Sequence, residues 1–183
     1  YYDRGNHSLK YAHWDGAGWI IEVVDNAGDV GTTTSIALDG QGYPHISYHD
    51  VTNGDLKYAY RDTTGWHVQT VDSDGSTGTS TSLDVDNLGR PHIVYWFDGT
   101  SPDNPAAMKY AYLDSAGWHI QLVAEPDNLS GSLSLAVDSI GRPHVSYGQD
   151  DVITYAIWNG KRWDEQEFAG YGSISFALVL DAY

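Results

Sequence analysis

The chain has 183 residues and a formal net charge of −16, from 25 acidic against 9 basic residues, with no cysteine. A surface of that sign repels phosphate backbones and anionic lipid, which argues against nucleic-acid partners and membrane binding. The missing cysteines exclude a disulfide scaffold and thiolate metal sites, and 21 Asp against 4 Glu points to a turn-rich, helix-poor chain, because Asp bonds its own backbone in turns.

The first element, "YYD" at 1–3, aligns with "YHD" at 48–50, so the chain opens inside the second strand of a repeating unit. "LKYAHW" (9–14) and "GWIIEVVD" (18–25) follow as its third and fourth strands. The second unit reads "SIALD" (35–39), "PHISYHD" (44–50), "DLKYAYRD" (55–62) and "WHVQTVD" (66–72), separated by the Gly-containing turns "GQGY", "VTNG" and "TTG". Alternating apolar residues between such turns predict antiparallel hairpins, and Ile, Val, Tyr, Trp and Thr fill the runs as strands require. The third unit repeats the pattern with five extra residues in "FDGTSPDNPAAMKYAY", where a hairpin tip absorbs them cheaply. The fourth carries "PHVSYGQD" (143–150) and "ITYAIWNGKRW" (153–163), and the chain closes on "SFALVLDAY" (175–183), the first strand of a further unit. No stretch approaches the roughly 18 apolar residues of a membrane span, and the opening residues lack a signal-peptide core and an initiator Met, so a processed or excised chain is expected.

The repeat is exact in register. Trp19, Trp66, Trp118 and Trp163 step by 47, 52 and 45, as do Leu9, Leu56, Met108 and Ile153, while Asp39, Asp86, Asp138 and Asp181 step by 47, 52 and 43. Four strands in about 40 to 50 residues is the period of a propeller blade. The expected fold is an all-β β-propeller, four four-stranded antiparallel blades in circularly shifted frame, as a single domain over 1–183. Its units run approximately 1–31, 32–78, 79–130 and 131–170, with 171–183 giving the first strand that completes a blade. That strand completes either a blade of its own chain, closing a four-bladed ring, or a blade of a larger or intermolecular propeller array.

The phrase D-x-x-G-x-P-H-[IV]-x-Y…[LMI]-[KT]-Y-A…W resembles the repeats of bacterial extracellular β-propellers, in the neighbourhood of sialidase-like and fucose-lectin-like propellers. The likeness covers the whole chain, but the Asp-box pattern S-x-D-x-G-x-x-W is not matched, since the Gly lies three residues after the Asp and leads to Pro-His. The resemblance implies an extracellular or cell-surface protein; such families include carbohydrate binders, glycosidases and adhesive proteins, so fold alone restricts function weakly.

Most repeated residues read as scaffold. Asp39, Asp86 and Asp138 are expected to close Asx turns; weak calcium binding at "DVDNLGR" (84–90) or "DSDG" (72–75) is the rival, and no other cofactor is implied. His45, His92 and His144 follow a Pro that begins the second strand and are expected to bond a neighbouring blade's backbone or Asp, the rival being a ring of metal ligands. The four stepped Trp, with Tyr11, Tyr58, Tyr110 and Tyr155, are expected to fill the seams between sheets.

Ligand-binding candidates come from slots where the units differ. After the repeated Tyr of the second strand stand Tyr2, His49, Trp96 and Gly148, and five residues into the third strand stand Trp14, Arg61, Leu113 and Trp158. Trp14, His49, Arg61, Trp96 and Trp158 are the candidates, because aromatic faces beside polar groups suit sugar C–H surfaces and hydroxyls. Catalysis is not expected: there is no nucleophile elbow, phosphate loop or H-E-x-x-H motif, and the five Arg are scattered through the repeat. Asn6 and Asn128 head glycosylation sequons. The sequence thus predicts a non-enzymatic extracellular module for carbohydrate or another surface ligand, with self-assembly of identical chains through their terminal strands as the alternative.

Overall fold

The computed structural model describes residues 1–125, 132–149, 152–169 and 177–180, and the regular structure in them is all strand. Asn128 and Asp181 lie outside these residues. Sheet one is β1 (Tyr2–Asp3), β2 (Ser8–Trp14) and β3 (Trp19–Asp25); sheet two is β4 (Val30–Leu38), β5 (Pro44–Asp50), β6 (Asp55–Asp62) and β7 (Gly65–Asp72). Sheet three is β8 (Thr77–Val85), β9 (Pro91–Phe97), β10 (Ala107–Asp114) and β11 (Gly117–Ala124); sheet four is β12 (Leu133–Val137), β13 (Pro143–Gln149), β14 (Val152–Trp158) and β15 (Trp163–Ala169). Consecutive strands of each sheet pair antiparallel, giving the expected all-β propeller arrangement of four sheets. Sheet one holds three strands where the others hold four. The insertion of the third unit falls between β9 and β10, in a loop closed by a Ser101–Asn104 bridge.

The first strands of successive sheets touch, β4 against β8 and β8 against β12. Their outward backbone N–H groups would be stranded there, and a serine on each strand takes one. Ser35 Oγ accepts from Leu83 N at 3.0 Å, Ser82 Oγ from Leu135 N at 3.1 Å and Ser134 Oγ from Leu178 N at 2.9 Å. Residues 177–180 therefore stand against β12 where the first strand of a further sheet would stand, and they do not pair with β1. Where β4 and β8 start, they run close to β2 and β6 of the preceding sheet and need glycine: Gly31 and Gly78 lie at φ 95° and 82°, and a Cβ on either would come to 3.0 Å from the side chain of Leu9 or Leu56.

Each seam between sheets has its own apolar cluster. Leu9, Val30, Ile46 and Tyr48 fill the first, Leu56, Leu83, Ile93 and Tyr95 the second, and Met108, Leu135, Val145 and Tyr147 the third. The stepped aromatics bridge the same seams. Trp66 stands edge-on to Tyr11, Trp118 to Tyr58 and Trp163 to Tyr110, at ring separations of 5.4, 5.3 and 5.4 Å. Each Trp thus meets the Tyr of the preceding sheet, which is the expected filler role. Trp19 meets no such Tyr among the described residues and is 68% exposed, unlike its three counterparts.

A buried polar lock crosses the first two seams. Asp25 accepts from Tyr48 Oη at 2.7 Å and Lys57 Nζ at 2.5 Å, and Asp72 accepts from Tyr95 Oη at 2.7 Å and Lys109 Nζ at 3.0 Å. In the third seam Ala124 stands in the Asp slot and Thr154 in the Lys slot, while Tyr147 Oη turns to Glu165 at 3.1 Å. Anion and cation are absent together, as burial requires: either one alone would be an uncompensated charge.

The repeated Asp and His form a second, local device. Asp39 Oδ1 accepts from Gln41 N and Tyr43 N, Asp86 Oδ1 from Leu88 N and Arg90 N, and Asp138 Oδ1 from Ile140 N and Arg142 N, the expected Asx turns. The partners of the histidines differ from expectation. Nδ1 of His45, His92 and His144 meets the hydroxyl of Tyr58, Tyr110 and Tyr155 on the adjacent strand, and Nε2 faces the Asp of the same turn at 3.7, 3.4 and 3.3 Å. The bond stays within one sheet because His follows the Pro that starts the second strand, directly above its own Asx turn. Burial lowers the pKa of His45 and His92 below 6.5, against the opposing pull of Asp39 and Asp86. For Asp25, Asp39 and Asp86 burial would raise the pKa, but their donors outweigh it and hold all three below 3.8.

Two measurements check this account. Asp25→Ala should cost about 1.5–3 kcal/mol in denaturant unfolding because Lys57 loses its hydrogen-bonded carboxylate and keeps only Asp50, 3.8 Å away, whereas Asp25→Ala with Lys57→Thr, the third seam's arrangement, should regain part of that loss. Equal losses in the single and double variants would contradict the lock. The second concerns pH. His45 and His92 bind protons more weakly folded than unfolded, so their contribution is complete above 6.5 and lost as pH falls through their folded values. The carboxylates contribute fully above 3.8 and lose that contribution as pH falls through theirs. The urea midpoint should therefore fall between about pH 7.5 and about pH 5, fall again below about pH 4, and lose much of the first step in His92→Gln.

Candidate functional site

The hairpin joining the third and fourth strands carries a cross-strand pair in each sheet: Trp14 with Trp19, Arg61 with Trp66, Leu113 with Trp118 and Trp158 with Trp163. In sheets two to four the second member is committed to the seam. The first is free to vary, and it stands on the same face, turned towards the preceding sheet.

At seam one this slot holds Arg61. Glu22 of β3 offers one oxygen, Oε2, to both Trp66 Nε1 at 2.8 Å and Arg61 Nε at 3.2 Å, while its Oε1 lies 3.6 Å from His13 Nε2. Beside this group opens a cleft of about 260 Å³ lined by Tyr11, His13, Gln41, Tyr43, Pro44 and Arg61. The Tyr11 and His13 rings stack at 5.4 Å. One carboxylate, a guanidinium with further N–H groups, an imidazole and flat ring faces thus share one opening between two rigid sheets. That set can bond hydroxyls in both directions and cover an apolar C–H face.

The other seams vary this theme. In seam two Gln69 Oε1 accepts from Trp118 Nε1 at 2.9 Å and Leu113 replaces the guanidinium, so the charges are gone. In seam three Gln121 Oε1 and Trp163 Nε1, the same two positions, are buried without partners. Trp158 stands in the variable slot there, and with Gln121, Lys161, Arg162 and Glu165 it lines a wider cleft of about 470 Å³.

The five sequence candidates are distributed rather than gathered. Arg61 lines the cleft of seam one and Trp158 that of seam three. Trp14 is 56% exposed and edge-on to Trp19 on the open face of sheet one. His49 lies opposite Leu56, five residues along β6 from Arg61 and so about 16 Å away. It faces Thr32, and burial lowers its pKa. Trp96 is 4% exposed and packs edge-on to Tyr147 of sheet four, which corrects its reading as a ligand-binding candidate: its slot faces the next sheet and fills the third seam. Sequence reasoning passed over Glu22 and His13 and treated Tyr11 and Trp66 only as filler. A signal was present, since Glu22, Gln69, Gln121 and Gln166 step by 47, 52 and 45 with the scaffold.

Among the described residues no group of three or more His, Asp or Glu is placed to hold a metal ion, and Asp86 of the "DVDNLGR" stretch is taken up by Leu88 N, Arg90 and His92. No helix among them is long and apolar enough to cross a membrane.

No protein-family model matches the chain, and no curated protein matches it. Solved structures do. The Aleuria aurantia lectin AAL, as an N224Q mutant in complex with Fucα1-6GlcNAc, superposes with a TM-score of 0.61 at 14% identity, over 94% of this chain and 60% of the lectin. AofleA from Arthrobotrys oligospora gives 0.59 at 13% identity, over 96% of this chain and 55% of its own. A fucose lectin from Kordia zhangzhouensis, in complex with methyl-fucoside, is 21% identical over 74% of this chain and superposes less well, with a TM-score of 0.47. The chain spans little more than half the length of the first two. At such identities this is a likeness of fold: this chain is built like part of the Aleuria lectin.

Proposed function

We propose that the chain is a non-enzymatic carbohydrate-binding module that takes a saccharide in the cleft between sheets one and two. The observation that carries this reading is Glu22, shared by Arg61 and Trp66 at the mouth of a cleft walled by Tyr11, His13 and Tyr43. Arg61 and Glu22 address neighbouring hydroxyls, one as donor and the other as acceptor, and a ring face covers the sugar's C–H side. Binding is favoured over hydrolysis because this group brings one carboxylate, Glu22, to the mouth and the residues lining the cleft add none, whereas a glycosidase needs two flanking the scissile bond. The Aleuria lectin, whose fold this chain shares in part, was solved with a fucosylated disaccharide, which makes α-fucosides the first ligands to try. The reading carries with it an extracellular or cell-surface setting, where glycans are displayed.

Calorimetry against a saccharide panel headed by Fucα1-6GlcNAc tests it. Binding at millimolar concentration or better is expected, with Arg61→Ala and Glu22→Gln each weakening it at least about tenfold, the worth of a hydrogen bond to a charged group. Leu113→Ala, in the uncharged counterpart slot of seam two, should leave it unchanged. Silence across the panel, or affinity indifferent to Arg61, would overturn the proposal.

A further inference from the structure

The hairpin tips that join the third and fourth strands follow one rule in three sheets and break it in the fourth. Asp15, Asp62 and Asp114 open the first three tips and Gly18, Gly65 and Gly117 close them, with no basic residue between. The fourth tip reads Asn159-Gly160-Lys161-Arg162 in the same four positions. The turn itself does not ask for this change. Asp15 Oδ1 accepts from Ala17 N and Gly18 N, and Asn159 Oδ1 accepts from Lys161 N at 3.0 Å and Arg162 N at 3.1 Å, so acid and amide close the same Asx turn. What changes is charge: a tip with one carboxylate becomes a tip with two cations, in a chain with 25 acidic and 9 basic residues.

These two cations are placed unlike most of the others. Lys57 and Lys109 are buried on Asp25 and Asp72, and Arg90 and Arg142 are clamped by the Asp of their own turns. Arg162 gives its Nε to Asp164 at 2.8 Å, but its side chain is 79% exposed, so its outer N–H groups face solvent. Lys161 makes no ion pair among the described residues.

Both line the cleft of about 470 Å³ in seam three, together with Trp158, Gln121 and Glu165. The bond that ties seam two at this level, Trp118 Nε1 to Gln69, is not made between Trp163 and Gln121. Trp158, in the slot that Arg61 and Leu113 occupy elsewhere, stands against Trp163 at a ring separation of 5.6 Å. Glu165 is engaged from within the seam, where its Oε1 accepts from Tyr147 Oη at 3.1 Å. A flat indole and two cations thus border one opening between two rigid sheets.

We infer that seam three holds a second binding site, for an acidic saccharide whose carboxylate or sulfate lies between Lys161 and Arg162 while the ring covers Trp158. The net charge of −16 works against anions at long range, but at physiological ionic strength that repulsion is screened beyond about 8 Å. A single anionic group therefore binds at the tip, whereas a long polyanion is repelled by the rest of the surface. The site shares no lining residue with the cleft of seam one, so it stands whether or not a saccharide binds there.

Nuclear magnetic resonance titration of the seven indole N–H signals tests it, with methyl β-D-glucuronide, glucose sulfate, methyl β-D-glucoside and inorganic sulfate as probes. The Trp158 signal, identified by its loss in Trp158→Phe, should move with at least one acidic sugar, at an affinity about tenfold or more above that for the neutral glucoside, the worth of a charge-assisted hydrogen bond. Movement with the glucuronide alone assigns the anionic group as a carboxylate, and movement with the glucose sulfate alone assigns it as a sulfate. Lys161→Thr with Arg162→Gly installs the Thr64-Gly65 tip that sheet two already folds, so the hairpin is kept, and the preference for acidic sugars should disappear. A Trp158 signal that ignores both acidic sugars would contradict the inference. So would a preference that survives the double substitution, or inorganic sulfate binding as tightly as either acidic sugar.

Discussion

The contact on which the rest of the structure depends is the meeting of an indole with the preceding sheet. Trp66, Trp118 and Trp163 each stand edge-on to a tyrosine one sheet back, and in the first two seams the indole N–H finds a Glu22 or Gln69 oxygen. The edge-on arrangement sets the positive rim of one ring against the negative face of the other, and the hydrogen bond fixes its depth. The three seams therefore share a ring separation of 5.3 to 5.4 Å at their outer ends, while serine-to-backbone bonds join the second and third at the inner end. Four short antiparallel sheets, none able to bury both faces alone, are held in a stack by contacts that a single repeated sequence encodes four times.

The candidate site is a by-product of that contact. Because the Trp must sit in the corner of the third hairpin, its cross-strand partner is brought to the mouth of the seam whatever its identity. The scaffold is indifferent to this partner, so Arg61, Leu113 and Trp158 give three mouths of different chemistry on one geometry. Only at seam one does the acceptor of the indole N–H carry a charge. There Glu22 and Arg61 hold one another across two sheets, in a position that neither strand could reach within its own sheet. The polar lock at the other end shows the opposite logic: Asp25 with Lys57 and Asp72 with Lys109 are buried, and the third seam drops both charges together.

Much of the fold was legible because a propeller repeats its constraints at fixed intervals. The step of Trp19, Trp66, Trp118 and Trp163 placed the third hairpin of each unit, and the Asp-to-Pro-His spacing placed the Asx turns of Asp39, Asp86 and Asp138. What the sequence does not state is direction. Trp96 and Arg61 are equally free of the repeat's pattern, yet one faces the next sheet and is buried while the other opens to solvent, since alternate residues of a strand face opposite sides. The histidine bonds were missed for a related reason: a partner on the adjacent strand of the same sheet and one on the neighbouring sheet look alike when only the period is known. Glu22 was hidden by its regularity. Its slot looks structural in three of four units, and only the charge at the first marks it as different.

The most direct measurement is a double-mutant cycle across the second seam, on Tyr58 and Trp118, 5.3 Å apart. Unfolding free energies of Tyr58→Leu, Trp118→Leu and the double variant give the coupling between the two rings with their separate roles removed. A favourable coupling of about 0.5–1.5 kcal/mol is predicted for edge-on aromatics in a seam that holds two sheets together. Losses that simply add would mean that the rings are neighbours without being partners, and that something else sets the stack.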